Sequence, residues 1–277
     1  MTAFSLSLKD KVAIVTGASG GLGRAAALAL ADAGARVVGT DIDLAGMENT
    51  ASEIESTGGK AVAVRADVTK KPEVDAVVEE AVKVFGTIDI LVNNAGVESF
   101  FPLMRLREDG WDRVFDVNVK GYYLFAQAAG RIMMHNKRGS IIQIGSGSGK
   151  LANPYSGAYC ASKAAVEQLS RVLAVELGYS SVRVNCIMPG FIRTGMLGGG
   201  QPDNGEMLKR LAELVPLHRI AEPDDVAAVI LFLASDMSSY VNGASIYVDG
   251  GVTLTGFNIE EVARSLPPKY RDLTILP

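Results

Sequence analysis

Tyr159 and Lys163 are the two side chains whose types and spacing most directly suggest proton transfer. They stand four positions apart in a segment of helical character, about residues 154–177, so they are expected to share one helix face. A tyrosine hydroxyl has an ordinary pKa of about 10, but a neighbouring ammonium stabilises the phenolate and lowers that value. Such a tyrosine takes a proton from an alcohol while hydride leaves the carbon, or returns it to a ketone.

A glycine-rich turn near the N-terminus is a candidate phosphate-binding site. The segment TGASGGLG (16–23) joins a short apolar run to an alanine-rich stretch, as a strand-to-helix junction does. Glycines there let the backbone approach a pyrophosphate, which the free N–H groups of a helix N-terminus attract. The spacing differs from the commoner G-x-G-x-x-G, and the glycines are Gly17, Gly20, Gly21 and Gly23.

Asp41 ends the second apolar run, 18 residues beyond Gly23. A carboxylate there accepts hydrogen bonds from ribose hydroxyls and repels the extra 2′-phosphate of the phosphorylated cofactor. No basic residue is expected beside Asp41, and position 20 is glycine rather than Lys or Arg. The sequence therefore predicts NAD rather than NADP, the alternative for Asp41 being a solvated acid. A cationic nicotinamide ring would also help Lys163 to lower the pKa of Tyr159.

Strand-like and helix-like segments alternate along the chain. Predicted strands cover 11–16, 35–41, 61–66, 88–94, 140–146, 182–188 and 244–250. Predicted helices cover 22–34, 44–59, 71–86, 154–177, 206–214 and 223–235, with a long helical region at 103–135. This alternation predicts an α/β fold, a doubly wound parallel sheet with helices on both faces. Residues 1–251 are expected to form one domain, and 252–277 an appended C-terminal tail.

Composition excludes several classes of function. The net charge of −4, without a basic block, argues against nucleic acid or an anionic membrane surface as the partner. The two cysteines, Cys160 and Cys186, lack disulfide or metal-ligand spacing, so no metal is expected. We find no secretory signal and no stretch of about 18 apolar residues, and we expect a cytoplasmic protein.

Several motifs across residues 11–251 together resemble the pattern of a known protein family. TGASGGLG, Asp41, NNAG (93–96), DVNVKG (116–121), Ser146, YCASK (159–163), PGFIRTGM (189–196) and YVDGG (247–251) occur in this order. The chain resembles the short-chain dehydrogenase/reductase family of the compact, single-domain type. The resemblance implies a seven-stranded Rossmann-like sheet, and hydride exchange between a nicotinamide cofactor and an alcohol or carbonyl.

The same resemblance assigns catalytic residues. A Ser-Tyr-Lys set would do the chemistry, and Ser146, which stands 13 positions before Tyr159, is its serine. Asn118 would help to hold a water that links Lys163 to solvent, and Lys163 would also bond the nicotinamide ribose. The expected cofactor contacts, from residues and resemblance together, are Gly17, Ser19, Gly21, Leu22, Gly23, Asp41, Ile42, Asp67, Val68, Asn94, Ala95, Gly96, Tyr159, Lys163, Pro189, Gly190, Ile192 and Thr194.

A further set of residues is expected to form the substrate pocket. Besides Ser146 and Tyr159, we expect Ser148, Asn153 and Tyr155 to contact the substrate, with Glu98, Ser99, Phe100 and the 196–207 loop also lining the pocket. The loop is glycine-rich, and we expect it to act as a lid. The two histidines, His135 and His218, are expected to be structural or on the surface, and Trp111 and Phe115 to belong to the core.

Three functions remain open from the sequence. The leading one is an NAD-dependent oxidoreductase that interconverts a secondary alcohol and a ketone, with Tyr159 as general acid/base. The second is reduction of a carrier-bound 3-oxoacyl group, which Asp41 disfavours. The third is a cofactor-binding regulator without catalysis. By resemblance a homotetramer is expected, with the 252–277 tail packed on the domain or on a neighbouring subunit.

Overall fold

The computed structural model describes residues 5–197 and 205–255, and its centre is one parallel sheet. The strand order across the sheet is β3-β2-β1-β4-β5-β6-β7. The strands are β1 (Val12–Thr16), β2 (Arg36–Asp41), β3 (Lys60–Arg65), β4 (Ile90–Asn93), β5 (Gly139–Ile144), β6 (Val182–Pro189) and β7 (Ser245–Val248). The predicted seven-stranded, doubly wound α/β fold is therefore confirmed.

Helices cover both faces of this sheet. Those described are α1 (Gly21–Asp32), α2 (Leu44–Ser56), α3 (Lys71–Phe85), α4 (Glu108–Phe115), α5 (Gly121–His135), α6 (Gly157–Gly178), α7 (Glu206–Glu213), α8 (Pro223–Ala234) and α9 (Val252–Thr255). One core cluster joins the sheet to α1, α2 and α8, and a second joins it to α3, α5 and α6. Burial on two faces explains why the central strands are continuous apolar runs without alternation.

The sheet order reverses beside β1. Ala13 pairs in parallel with Val37 on β2 and with Ile90 on β4, so successive crossovers lead to opposite sides of β1. The loops that leave the carboxyl ends of β1 and β4 consequently diverge and leave a crevice between them. The glycine-rich turn follows β1 and the NNAG segment ends β4, so the two segments lie on either side of this crevice.

The long helical region predicted at 103–135 is interrupted. It consists of a short 3-10 turn at Leu103–Arg105, then α4, a π-helical turn at Asp116–Lys120, and α5. Asn118 lies inside the π-helical turn and is fully buried. Single π-helical turns often occur at functional sites because they change the direction of one side chain without ending the helix.

Two predicted segments extend beyond the described residues. The loop expected as a lid includes residues 198–204, and the expected tail includes residues 256–277, both of which lie outside the described part. Within residues 5–197 and 205–255, no helix has the length and apolar character needed to cross a bilayer. The same residues contain no group of three or more side chains placed to hold a metal ion.

The turn after β1 predicts a contrast between two of its glycines. A Cβ added at Gly23 would lie 2.0 Å from the carbonyl oxygen of Gly17, whereas one added at Gly20 would meet no atom within 4 Å. We expect Gly23→Ala to lower Tm by about 3–10 °C because overpacking forces the backbone apart. Thermal unfolding of Gly20→Ala is the control, with an expected change within about 2 °C. Equal Tm values for the two variants would contradict this close approach.

Candidate active site

A cavity of about 990 Å³ opens at the carboxyl edge of the sheet. Ligand sites typically have volumes of roughly 300–1,000 Å³, so this one is large enough for an extended ligand. Its walls come from the ends of β1, β2, β4, β5 and β6 and from the first turns of α1 and α6. The cavity includes the crevice between β1 and β4, which is where doubly wound sheets bind their ligands.

Most residues predicted for the site line this cavity. From the cofactor set these are Gly17, Ser19, Gly21, Leu22, Asp41, Ile42, Asp67, Val68, Asn94, Ala95, Gly96, Tyr159, Lys163, Pro189, Gly190, Ile192 and Thr194. From the substrate set they are Ser146, Ser148, Asn153 and Tyr159, together with Glu98. Gly23 lies behind the wall, where it packs against Gly17.

The first turn of α1 has the properties of an anion site. No side chain caps its amides, and the turn contains no acidic residue. A Cβ placed on Gly20 would have no atom within 4 Å, so there is room beside this residue for a ligand. Unpaired N–H groups and the helix dipole attract a pyrophosphate at such a place. The residues present therefore fit the dinucleotide that the sequence predicts.

Hydrogen bonds hold the two sides of the crevice in register. The Thr16 hydroxyl accepts from the backbone N–H groups of Asn94 at 2.9 Å and Ala95 at 3.0 Å. The Asn94 side chain donates to the carbonyl oxygens of Thr16 at 2.9 Å and Gly17 at 3.2 Å. The NNAG segment therefore links the carboxyl ends of β1 and β4 through hydrogen bonds.

The Asp41 carboxylate is held at the far end of the crevice. Its Oδ2 accepts from the Ser19 hydroxyl at 2.8 Å and the Ser19 N–H at 3.2 Å, and its Oδ1 accepts from the Asp43 N–H at 3.1 Å. The expectation that no basic residue stands beside Asp41 is wrong, because strand pairing places Arg65 opposite it. The Arg65 guanidinium lies 3.7 Å from the Glu73 carboxylate, and Arg65 does not line the cavity.

Ser146, Tyr159 and Lys163 converge at one end of the cavity. Ser146 is close enough to Tyr159 to lower the pKa of the tyrosine through hydrogen bonding, and Lys163 Nζ lies 5.6 Å from the centre of the Tyr159 ring. Lys163 is only 3% exposed, and its Nζ donates to the carbonyl oxygen of Ile144 at 2.7 Å and to the Tyr122 hydroxyl at 3.4 Å. The ammonium is therefore fixed by the end of β5 and by α5.

The ionisation of this pair is governed mainly by burial. Burial raises the pKa of Tyr159, the Glu98 carboxylate raises it further, and the hydrogen bond with Ser146 lowers it. This direction is opposite to the lowering expected from an ammonium and a cationic ring, because removing a phenolate from water is costly. Burial also lowers the pKa of Lys163 to about 8, so its ammonium form persists at neutral pH.

Asn118 and Ser162 connect the catalytic helix to the loop after β4. The Asn118 amide exchanges two hydrogen bonds of 2.9 Å with the backbone of Val97. It also donates to the Ser162 hydroxyl at 3.0 Å, and that hydroxyl donates to the Tyr159 carbonyl at 2.7 Å. Asn118 is buried behind the cavity wall. The sequence offered no role for Ser162, because only the tertiary fold brings it to Asn118.

The predicted substrate residues separate into two groups. Asn153 Nδ2 donates to the Ser148 hydroxyl at 2.7 Å, and both residues line the cavity. Tyr155 does not line it: its backbone φ is 67°, and its ring lies 5.6 Å from that of Phe100. Ser99 and Phe100 are likewise absent from the wall.

Part of one cavity wall carries no motif in the sequence. One wall of the cavity comes from α4, through Asp109, Asp112 and Arg113, and continues into the DVNVKG motif of the π-helical turn through Asp116 and Val117. Packing alone places the three α4 residues there, so only the tertiary structure identifies them. His135, His218, Trp111 and Phe115 do not line the cavity, and the rings of Trp111 and Phe115 stack 4.7 Å apart.

Comparison with known proteins agrees with this geometry. The profile of the family described as Enoyl-(Acyl carrier protein) reductase matches residues 17–253. The chain belongs to the short-chain dehydrogenase/reductase family, and it is an oxidoreductase that uses a nicotinamide cofactor.

Individual relatives differ in their named substrates. The chain is 39% identical over 249 residues to a 3-oxoacyl-(acyl-carrier-protein) reductase of Thermotoga maritima, covering 90% of this chain and 100% of the relative. It is 38% identical over 251 residues to a D-threitol dehydrogenase of Mycolicibacterium smegmatis, covering 91% and 96%. A solved short-chain type dehydrogenase/reductase from Mycobacterium marinum superposes with a TM-score of 0.85 at 37% identity, covering 90% and 97%.

The electrostatics around Tyr159 predict a pH effect. In the proton transfer that the sequence predicts for Tyr159, oxidation of an alcohol requires the phenolate, so a raised Tyr159 pKa is expected to make kcat/KM for oxidation rise with pH into the alkaline range. Removing the Glu98 charge in Glu98→Gln lowers that pKa, so the rising limb is expected to move to lower pH. The pH profile with a simple mono-alcohol measures this, with Glu55→Gln on the exposed face of α2 as control. A limb that stays in place would show that Glu98 does not act on Tyr159.

Proposed function

We propose that this protein is an NAD-dependent oxidoreductase that interconverts a secondary alcohol and a ketone, with Tyr159 as general acid/base. The observation that carries the proposal is the convergence of Ser146, Tyr159 and buried Lys163 at one end of a cavity whose other end holds Asp41. This arrangement supports the proposal, because hydride transfer needs the proton-transfer group and the bound dinucleotide in one continuous space.

Each side chain has a distinct part in the proposed reaction. The Ser146 hydroxyl binds and orients the substrate oxygen beside Tyr159 Oη. Tyr159 then takes the hydroxyl proton during oxidation, or returns a proton to the carbonyl oxygen during reduction. Lys163 holds a positive charge 5.6 Å from the Tyr159 ring and thereby stabilises the phenolate. When bound, the nicotinamide ring supplies the hydride acceptor for oxidation or the hydride donor for reduction.

Asp41 supports NAD as the cofactor. Its carboxylate, oriented by Ser19, stands where the adenosine ribose of a dinucleotide is expected, and it would repel a 2′-phosphate. Arg65 is the basic residue nearest in register, but its ion pair with Glu73 and its position outside the cavity wall reduce its ability to bind that phosphate.

Reduction of a 3-oxoacyl group on a carrier is the second candidate. Similarity to the Thermotoga maritima reductase favours it. Asp41 disfavours it, since that reaction usually uses the phosphorylated cofactor, whose 2′-phosphate the carboxylate would repel. A catalytically silent regulator is disfavoured by the complete Ser146, Tyr159 and Lys163 set.

The expected homotetramer stays a prediction. Exposed apolar side chains on and after α6 are consistent with a subunit contact: Val175 is 66% exposed and Tyr179 is 93% exposed. Burying such residues between subunits would remove apolar surface from water. The expected cytoplasmic location also stays a prediction.

Cofactor choice can be tested at Asp41. In Asp41→Ala, loss of the carboxylate is expected to weaken NAD⁺ use and to relieve repulsion of NADP⁺, so the kcat/KM ratio of NAD⁺ to NADP⁺ should fall about tenfold or more. Initial rates with both cofactors measure the ratio. Asp43→Asn, which removes a nearby charge that caps α2, is the control. An unchanged ratio in Asp41→Ala would refute the role of Asp41.

Catalysis can be separated from binding at Tyr159. Tyr159→Phe keeps the ring and removes the acid/base hydroxyl, so kcat is expected to fall by about 10²–10⁴-fold. Binding of NADH, followed by its fluorescence, should remain close to wild type. Wild-type protein that binds NADH but turns over no alcohol or ketone in a broad panel would instead favour the regulator.

A further inference from the structure

Glu98 is a carboxylate in the cavity that the proposed reaction does not use. It lies in the loop after β4 and lines the same cavity as Tyr159. One carboxylate oxygen accepts a hydrogen bond from the Ser156 hydroxyl at 2.7 Å. Ser156 is itself buried and precedes α6 directly, so Glu98 has a partner at the N-terminus of the helix that carries Tyr159.

The second carboxylate oxygen of Glu98 has no hydrogen-bond donor among the described residues. Among residues 5–197 and 205–255, Ser156 is the sole hydrogen-bond donor to this carboxylate, and no Lys, Arg or His forms an ion pair with Glu98. Burial accordingly raises the pKa of Glu98, although the Ser156 hydrogen bond opposes this. A carboxylate withdrawn from water is stabilised by a further donor, and the cavity is the side from which one can come.

Glu98 also opposes the proposed chemistry, since its charge raises the pKa of Tyr159. A carboxylate that disfavours the phenolate does not assist proton transfer by Tyr159. Its benefit is then expected in substrate binding, where a carboxylate acts as a strong hydrogen-bond acceptor.

We propose that Glu98 accepts a hydrogen bond from a second hydroxyl of the substrate, and that the substrate is a neutral polyol or the corresponding hydroxyketone. This inference rests on the proposed function, because it assigns the substrate class of that same site. The Ser148–Asn153 pair, joined by a hydrogen bond of 2.7 Å, supplies a second polar wall for further hydroxyls.

Other substrate chemistries fit these charges less well. An acidic substrate would bring a second carboxylate toward Glu98. An ammonium would pair with Glu98, but it would also share the cavity with the Lys163 ammonium and a cationic nicotinamide ring. A 3-oxoacyl thioester offers carbonyl acceptors and an alkyl chain, and neither donates a hydrogen bond to Glu98.

Matched substrates and Glu98→Gln test the proposal. Threitol and erythritol are compared with butan-2-ol, and xylitol with pentan-2-ol, by NADH formation. Wild-type protein should prefer each polyol over its mono-alcohol. Glu98→Gln keeps the size of the side chain but removes its charge, and it should lower the polyol to mono-alcohol ratio of kcat/KM by about 10–100-fold, mainly through KM. A change in the pKa of Tyr159 alters kcat/KM for both substrates, so its effect cancels in the polyol to mono-alcohol ratio.

Two further variants keep the result interpretable. Ser156→Ala frees the Glu98 carboxylate from its partner and should lower the same ratio to a smaller extent, and Glu55→Gln on α2 should leave it unchanged. NADH binding and Tm of each variant show that the fold is intact.

The outcomes separate this inference from the proposed function. Equal wild-type use of polyols and mono-alcohols, preference for a carboxylate- or amine-bearing alcohol, or equal losses on both substrates in Glu98→Gln would each overturn the polyol assignment alone. Wild-type protein that binds NADH and turns over acetoacetyl-CoA but no alcohol would overturn the proposed function, and the polyol assignment with it.

Discussion

The buried ammonium of Lys163 is the constraint on which the active site depends. A buried cation needs hydrogen-bond acceptors, and Lys163 finds them in the Ile144 carbonyl at 2.7 Å and the Tyr122 hydroxyl at 3.4 Å. Tyr122 in turn donates to the same Ile144 carbonyl at 3.1 Å. These contacts tie β5, α5 and α6 together, so the helix that carries Tyr159 has a fixed position relative to the sheet.

A second set of contacts fixes the loops around this helix. Asn118 joins Val97 after β4 to Ser162 on α6, and Thr16 joins β1 to the NNAG segment. Buried amides and hydroxyls of this kind are expensive to leave unpaired, so each one specifies a single loop arrangement. These hydrogen bonds hold the loops at the cavity floor in one arrangement relative to α6.

The two carboxylates of the cavity have different consequences. Asp41 is stabilised by two donors on Ser19 and one on Asp43, whereas Glu98 has the single donor Ser156 among the described residues. In the proposed function, the well-satisfied Asp41 carboxylate selects the cofactor by repelling a 2′-phosphate. In the proposed polyol binding, the poorly satisfied Glu98 carboxylate accepts a hydrogen bond from the substrate, and its charge raises the pKa of Tyr159.

The sequence by itself determined the doubly wound fold, the glycine-rich turn, Asp41 and the Tyr159–Lys163 pair, because hydrophobic periodicity and helical spacing are local properties of the chain. The interruption at Asp116–Lys120, the partnership of Asn118 with Ser162, and Arg65 beside Asp41 were decided only by the tertiary structure. So was the direction of the Tyr159 pKa, and the place of Tyr155 against Phe100 rather than in the cavity. Contacts between residues far apart in sequence, and the loss of water around a charge, arise from packing and leave no local pattern.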